Sequence, residues 1–149
     1  MRAARYYGVK DVRVEEVAEP TGDLSPTQVL IRPRWCGICG TDLHVLHDTF
    51  RNYPPVILGH ECAGTVSEIG PGVSGIAIGD PVTVLGATAV TCGTCAYCRS
   101  GYFIFCPKRR GMGHGVNGAF ARHLVVRPDQ LYRLPNGMSL EAGALSEPF

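Results

Sequence analysis

Four cysteines in the second half of the chain constrain its folding more than any other feature. Cys92, Cys95, Cys98 and Cys106 follow the spacing C-x2-C-x2-C-x7-C. Four thiolates this close together can surround one tetrahedral zinc ion and leave no coordination position open, which is typical of a structural site. Two disulfides, or four unrelated buried thiols, are the alternatives. The spacing also differs from that of a zinc ribbon, whose two C-x2-C pairs lie about 15–20 residues apart.

The composition is that of a globular domain. Of the 149 residues, 45% are apolar and 18% are charged, which separates the chain from disordered sequences. The formal net charge of +1 argues against a nucleic-acid-binding domain, which would be clearly basic. No apolar run reaches the ~18 residues of a membrane span, and the first residues lack the apolar core of a signal peptide. We therefore expect a soluble, cytoplasmic protein with neither a membrane nor a nucleic-acid partner. In that compartment the odd number of cysteines, seven, favours metal ligation or catalysis over disulfides.

The frequent breakers predict a mainly β protein with short elements. The chain has 19 glycines and 11 prolines, which favour turns between short strands. Pro33 predicts an edge strand or a bulge, and Ser139 is a suitable N-cap for a last helix. Strands are predicted over 5–17 with a turn at Gly8, 28–35, 54–69 with breaks at Gly59 and Gly64, 81–85, 120–126 and 131–134, and short helices over 42–47 and 139–145.

A second group of potential metal ligands is spread along the chain. Cys39 and His60 offer one soft and one borderline ligand, and Glu61 or Glu147 could add an oxygen. Three protein ligands plus an exchangeable water or substrate are typical of a catalytic zinc site. Cys36 and Cys39 could instead form a redox C-x-x-C pair, but the βαβ pattern that usually surrounds such a pair is not visible here.

Taken in order, five motifs resemble those of the zinc-dependent medium-chain dehydrogenases, the family of alcohol, sorbitol and butanediol dehydrogenases. The motifs are GICGTDLH at 37–44, GHE at 59–61, the four cysteines, GAFA at 118–121 and GALSEP at 143–148. The resemblance implies a GroES-like catalytic domain over 1–149, a partly open barrel with short helices and a structural-zinc lobe at about 90–110. Since the Rossmann domain of the family is absent from this chain, we expect the chain to be truncated before a cofactor-binding domain.

The resemblance also implies two zinc sites. Cys39 and His60 match the catalytic zinc ligands, and Glu147 matches the third ligand of polyol-type members. Glu61 matches a nearby carboxylate that ligates directly or exchanges with water. The four-cysteine group matches the structural zinc ligands: Cys92, Cys95, Cys98 and Cys106.

For the chemistry, the resemblance implies an oxidation of a small secondary alcohol or polyol. Zinc polarises the alcohol, and hydride passes to NAD or NADP, because zinc itself does not change valence. Thr41 matches the hydroxyl that bonds the substrate oxygen, and His44 matches the residue that hands the proton towards solvent. Full-length relatives are homo-oligomers. The resemblance assigns no cofactor-binding residue here, and the chain alone is expected to bind zinc without oxidising alcohols.

One other function remains open, and several residues have plain structural interpretations. A zinc-stabilised GroES-like binding or interaction module would need only the four-cysteine site.

The GPGVSG segment at 70–75 fits G-x-G-x-x-G, but no helix is predicted after it, so it does not indicate a dinucleotide site. Cys36, Cys62 and Trp35 are interpreted as packing residues, His114 as a loop residue and His123 as a surface or barrel-wall residue. Phe50 and Tyr53 are candidate pocket residues.

Overall fold

The computed structural model describes residues 1–22 and 24–148, which form two antiparallel sheets with three short helices. The strands are β1 (Arg2–Gly8), β2 (Asp11–Glu16), β3 (Val29–Cys36), β4 (Val56–Ile57), β5 (Cys62–Ile69), β6 (Pro81–Val84), β7 (Leu124–Val126) and β8 (Leu131–Arg133). The helices are α1 (Gly40–Leu46), α2 (Ala96–Arg99) and α3 (Leu140–Ala144). Short 3₁₀ turns cover Phe103–Phe105 and Pro128–Gln130.

The larger sheet carries the main core. Its five strands run in the order β7-β3-β5-β6-β8, and every neighbouring pair is antiparallel. Apolar side chains from its inner face pack together with almost no exposure, as expected for strands whose alternate residues face one core. This core contains Val29, Ile31, Cys62, Val66, Val82, Val84, Met112, Ala119, Leu124 and Val126.

The smaller sheet and helix α1 share a second core. Strands β2, β1 and β4 pair in that order, and β1 turns into β2 after Gly8. Tyr6 of β1 is 1% exposed and packs with Val45 of α1 and with Val56 and Leu58. This cluster attaches α1 to the smaller sheet and thereby fixes the position of Cys39, which precedes the helix.

The predicted partly open barrel is confirmed. Strands β7 and β8 lie at opposite ends of the larger sheet and do not pair with each other in the described part of the chain. A bridge between Ala3 and Ala121, and the hydrogen bond from the Ala4 N–H to the Phe120 carbonyl (2.9 Å), connect the two sheets.

Three expectations about the strands were wrong or incomplete. Gly64 does not end a strand; it lies inside β5, where an added Cβ would overlap the Arg32 carbonyl, so glycine permits the close approach of β3. The strand predicted over 120–126 begins only at Leu124. Trp35 is 50% exposed rather than a core residue. The bulge expected at Pro33 is confirmed, since the register of β3 on β5 shifts between Pro33 and Trp35.

Helix α3 packs directly on the larger sheet. The Ser139 hydroxyl accepts a hydrogen bond from the Ala142 N–H (3.1 Å), which confirms the predicted N-cap. Ala144 is buried in a small cluster with Ala63 and Leu134, and this contact brings the segment that follows the helix to β5 and β6. No helix in the described ranges has the length and apolar character that crossing a membrane requires.

Candidate metal centres

The start of helix α1 places Cys39 at the rim of the larger sheet. Cys39 is the N-cap residue, with extended backbone angles, and its N–H donates to the Asp42 carboxylate (Cys39 N to Asp42 Oδ2, 2.9 Å). A carboxylate at the third helical position that bonds back to the N-cap N–H is half of a capping box. The helix start thus fixes the backbone that carries the Cys39 thiol.

Asp42 also contacts the loop that carries His60. The Gly59 N–H donates to Asp42 Oδ1 (3.3 Å), and the same oxygen lies 3.8 Å from His60 Nδ1. Asp42 is 5% exposed, and His60 Nδ1 is buried without a hydrogen-bond partner. A histidine that ligates a metal usually has its other ring nitrogen beside a carboxylate or carbonyl. The arrangement therefore favours His60 Nε2 as the metal-facing nitrogen.

Glu61 lies against a glycine that leaves room for it. The Gly37 N–H donates to the Glu61 carbonyl (2.8 Å), and an added Cβ at Gly37 would overlap Glu61 Oε2. Glu61 is only 9% exposed. Because Gly37 has no side chain, the Glu61 carboxylate can lie directly against it. A larger residue at position 37 would displace the carboxylate.

Cys39, His60 and Glu61 come together as one potential ligand group. One ligand atom from each residue lies within 4.8 Å of the other two. Sulfur, imidazole nitrogen and carboxylate oxygen are all zinc ligands, and three protein ligands leave a position open for water or substrate. The orphaned Nδ1 of His60 beside Asp42 fits the same interpretation, because a metal-ligating histidine needs a partner that fixes its tautomer.

Glu147, predicted as a ligand, is not in this group. It is half-buried in the turn after α3 and lines a cavity with Thr83 and Val84. Burial is the main cause that raises the pKa of the Cys62 thiol, and the charges of Cys36 and Glu147 add to the shift. Its role as the third zinc ligand stays a prediction.

Thr41 and His44 lie on helix α1 beside the ligand group. They are three residues apart, so they share one side of the helix. Thr41 is half-buried and His44 is exposed. The Thr49 hydroxyl donates to the His44 carbonyl (3.2 Å) and lies 3.3 Å from His44 Nδ1. Because that hydroxyl proton is used, Nδ1 can donate to the Thr49 oxygen, which leaves Nε2 as a proton acceptor facing solvent.

The four cysteines predicted as a closed site also come together. The Sγ atoms of Cys92, Cys95, Cys98 and Cys106 all lie within 4.8 Å of one another. The Cys92 and Cys98 sulfurs are 3.9 Å apart. Thiolates 2.3 Å from a tetrahedral zinc would be about 3.8 Å apart, whereas a disulfide requires about 2.05 Å. All seven cysteines are free, and the geometry fits zinc rather than disulfides.

Backbone N–H groups of the lobe point at the sulfurs. The Cys95 N–H donates to Cys92 Sγ (3.3 Å), the Cys98 N–H to Cys95 Sγ (3.4 Å) and the Cys92 N–H to Cys106 Sγ (3.4 Å). The N–H groups of Thr94 and Cys95 lower the pKa of Cys92 to about 5, while burial raises the pKa of Cys98 to about 11. Such bonds stabilise thiolates, the form that binds metal.

Two other cysteines near the first group behave as packing residues, as expected. Cys62 is fully buried in the main core, and Cys36 packs partly against the same core. Burial is the largest cause that raises the pKa of Cys36, to about 12. Neither thiol belongs to a group of potential metal ligands in the described part of the chain, which agrees with a packing role.

Asp42 and His114 belong to the surroundings of the first group but were not predicted there. The sequence signal for Asp42 was its position three residues after an N-cap residue, which indicates a capping carboxylate. His114 was assigned to a loop, and it does lie in a turn, but it is half-buried with its ring 5.0 Å from the Phe50 ring. Nothing in the local sequence indicates that burial.

Comparisons with known proteins agree on one family. The sequence profile of the alcohol dehydrogenase GroES-like domain matches residues 25–136. A sorbitol dehydrogenase of Halalkalibacterium halodurans is 37% identical over 95% of this chain. Galactitol-1-phosphate dehydrogenase from Escherichia coli superposes with a TM-score of 0.89 and 31% identity over 99% of the chain. A protein of Sinorhizobium meliloti 1021, described as a zinc-binding dehydrogenase and solved with NADP, superposes with a TM-score of 0.88 and 35% identity over 97% of the chain.

The chain matches only part of each of these proteins. It spans 40% of the sorbitol dehydrogenase, 42% of the galactitol-1-phosphate dehydrogenase and 41% of the NADP-bound protein.

Proposed function

Because the chain belongs to the alcohol dehydrogenase GroES-like domain family of zinc-dependent medium-chain dehydrogenases, we propose that it supplies the catalytic zinc site of an enzyme that oxidises small alcohols or polyols. The observation that carries this proposal is the open ligand group of Cys39, His60 and Glu61. An interaction module stabilised by zinc would need the four-cysteine lobe but not a second group with an open position.

The residues around the open group have distinct tasks in this proposal. Cys39 and His60 hold the metal, with either Glu61 or Glu147 as the third protein ligand. Asp42 orients His60 and the start of α1. Bound zinc supplies Lewis acidity, which makes an alcohol oxygen easier to deprotonate.

The proton is proposed to leave along helix α1. The Thr41 hydroxyl accepts it from the alcohol and passes on its own, so it carries the proton without becoming charged. His44 then takes the proton at Nε2 and releases it to solvent, because its ring is exposed while Nδ1 is held by Thr49.

We propose the substrate, the cofactor, the cellular location and the oligomeric state by analogy with the relatives. The relatives' names state a polyol for sorbitol dehydrogenase and a polyol phosphate for galactitol-1-phosphate dehydrogenase, and we propose a small alcohol or polyol for this protein. Hydride acceptance requires a nicotinamide, NAD or NADP, and one similar structure holds NADP. We further propose a cytoplasmic homo-oligomer with neither a membrane nor a nucleic-acid partner.

The deciding experiment combines metal analysis with turnover on the longest form of the protein that its gene encodes. The protein should carry two zinc ions per chain and reduce NAD or NADP with a polyol. Cys39→Ser should lose one zinc and about 100-fold or more in kcat/KM, because the Lewis acid contributes several kcal/mol. Cys36→Ser is the matched control. The Cys36 thiol lies three residues from Cys39 in the sequence and is not in the ligand group, so this variant should keep both zinc ions and the native kcat/KM.

Other outcomes would contradict the proposal. One zinc per chain, retained by Cys39→Ser and lost by Cys98→Ser, together with no alcohol oxidation, would indicate the interaction module instead.

A further inference from the structure

A cavity lies between strand β1 of the smaller sheet and strand β7, the edge strand of the larger sheet. Its volume is about 420 Å³, which is within the range of small-molecule sites. In the described part of the chain, no residue of the open metal-ligand group lines this cavity, and none of the four lobe cysteines does. The cavity therefore belongs to neither candidate metal centre.

The inner wall of the cavity is apolar. Met112, Leu124 and Val126 line it and are also buried members of the main core. Ile57 of β4 and Val116 extend the same wall. An apolar molecule that covered this wall would remove apolar surface from water, which favours binding.

Two buried nitrogen atoms at the cavity have no hydrogen-bond partner among the described residues. They are Arg5 Nε and His123 Nδ1, and both residues line the cavity. His123 is 7% exposed, and its Nδ1 lies 3.7 Å from Glu19 Oε2, which is too far for a hydrogen bond. A carboxylate at this distance favours the tautomer with the proton on Nδ1, so both orphaned nitrogens are donors.

The side-chain amide oxygens at the cavity already accept hydrogen bonds. Asn117 Oδ1 accepts from the Ile57 N–H (3.1 Å), Gln28 Oε1 from the Ser25 N–H (2.9 Å) and Gln130 Oε1 from the Arg127 N–H (3.0 Å). The unused hydrogen-bonding capacity of these side chains is therefore mainly that of donors. A ligand that brings acceptors suits the cavity better than one that brings donors.

The charges that line the cavity are already balanced. Each cation has a carboxylate partner: Arg5 has Glu15 (3.2 Å), Arg127 has Asp129 (2.9 Å) and the Met1 amine has Glu16 (3.2 Å). No acidic residue lines the cavity in the described ranges. A charged ligand would lose hydration without gaining an unpaired counter-charge, so the cavity fits an uncharged molecule.

We propose that this cavity is a second small-molecule site, which binds an uncharged carbonyl compound with an apolar body. The apolar body covers the wall at Met112 and Leu124, and the carbonyl oxygen accepts from Arg5 Nε or from His123. A ketone oxygen can accept two hydrogen bonds, and a ketone has no O–H or N–H that would need an acceptor. This site does not depend on the proposed function, because it contains none of the groups that carry that function.

Cyclohexanone tests the site without any turnover. Titration of the zinc-loaded protein, in the longest form that its gene encodes, should produce saturable NMR shifts of the methyl groups of Ile57, Met112 and Leu124. His123→Phe or Arg5→Met should weaken cyclohexanone about three- to tenfold, the loss expected for one hydrogen bond. Methylenecyclohexane has a CH₂ group in place of the carbonyl oxygen, so neither substitution should weaken its binding.

His47→Phe is the matched control for His123→Phe. His47 is exposed and does not line the cavity, so this variant should bind cyclohexanone as the native protein does. Cys39→Ser removes the open metal site and should also keep the binding, which distinguishes the cavity from a ketone bound at zinc.

Four results would overturn the proposal. They are methyl shifts that grow linearly without saturating, shifts confined to helix α1, native affinity in both His123→Phe and Arg5→Met, and loss of binding in Cys39→Ser. Failure of the proposed function would look different, because a protein that oxidised no alcohol would still show or lack saturable shifts at Ile57, Met112 and Leu124.

Discussion

At the residue scale, one buried carboxylate joins the two segments that carry the open ligand group. Asp42 accepts hydrogen bonds from the N–H groups of Cys39 and Gly59 and lies beside His60. A charge that is 5% exposed would be costly without such partners. Its burial is therefore explained by what it holds in place: the start of α1 on one side and the His60 ring on the other.

Replacing this carboxylate with the isosteric amide should weaken the open site selectively. Asp42→Asn can still accept from the Cys39 N–H but loses the negative charge beside His60. We expect zinc affinity at this site to fall about 10- to 100-fold, as for other residues that orient a ligand, while the four-cysteine site keeps its zinc. Competition with a chromophoric chelator measures both sites.

The control for this substitution is Asp48→Asn, two residues after the end of the same helix. Asp48 is exposed, and its carboxylate accepts a hydrogen bond only from the Asn52 amide in the described chain, so its amide variant should bind zinc as the native protein does. Equal zinc affinity in Asp42→Asn and Asp48→Asn would show that Asp42 does not act on the metal site.

The metal-ligand residues were easier to identify from the sequence than the residues that hold them in place. The four lobe cysteines could be named because four thiols at this close spacing are typical of a zinc site, and Cys39 and His60 because their motifs resemble those of the family. Asp42 and Gly37 were missed because their roles depend on contacts with residues about twenty positions away. Such contacts appear only once β3 and β5 are paired.

At the element scale, the close approach of β3 and β5 depends on a residue without a side chain. Gly64 pairs with Pro33 on β3 and with Val82 on β6, so it lies between two strands. An alternation pattern cannot show this, because a glycine in a strand sequence indicates a break and a close approach equally well. The Ser139 cap could be predicted because a cap depends on contacts within four residues. The role of Gly64 could not, because it depends on the position of another strand.

Gly64→Ala should destabilise the larger sheet. The added methyl would overlap the backbone carbonyl of Arg32, which cannot move aside as a flexible side chain could. We expect the free energy of unfolding to fall by about 1–3 kcal/mol, the usual cost of an overpacked interior, with a lower urea midpoint. Gly40→Ala is the control because its Cβ would meet nothing within 4 Å. A midpoint for Gly64→Ala that matches the control would contradict this account of the sheet.

Helix α2 is too short to be stable by itself, so the sequence explains it only if the neighbouring cysteines bind a metal. It has four residues, far fewer than a helix needs for stability of its own. Its N-cap Cys95 and its buried Cys98 are both members of the four-cysteine group. We therefore expect the lobe to depend on metal ligation more than on apolar packing for its order, since Tyr97, Phe103 and Phe105 are exposed.

At the scale of the whole molecule, the composition and breaker pattern predicted the mainly β class, and five motifs in order predicted the family. The pairing order of the larger sheet, β7-β3-β5-β6-β8, was not predictable. It pairs β3 with β7 and β6 with β8, which lie far apart in the sequence, and short strands of similar composition do not specify their partners locally. The burial of His123 was not predictable for the same reason. His123 directly precedes β7, so its burial depends on where β7 lies in the sheet.

Acid should destabilise the whole fold in two steps. His123 is 7% exposed, and burial lowers its pKa from the ordinary 6.5, although Glu19 opposes the shift and Arg32 and Arg122 add to it. Below about pH 6.5 the unfolded chain therefore takes up a proton that the folded chain does not, so the free energy of unfolding falls as the pH drops. His114 contributes in the same direction. Near pH 3.8 a second step follows, because the Ala77 N–H and Arg133 hold the pKa of Asp80 below that value.

The first step can be assigned by substitution. Urea midpoints measured between pH 7 and pH 5 in excess zinc should fall for the native protein and fall less for His123→Asn, because that variant no longer takes up the proton when it unfolds. His47→Asn removes an exposed histidine and should follow the native curve. Any loss of zinc in acid affects both variants alike, so the difference between them isolates the buried imidazole. Parallel curves for all three proteins would show that His123 protonates as easily in the folded chain as in the unfolded one.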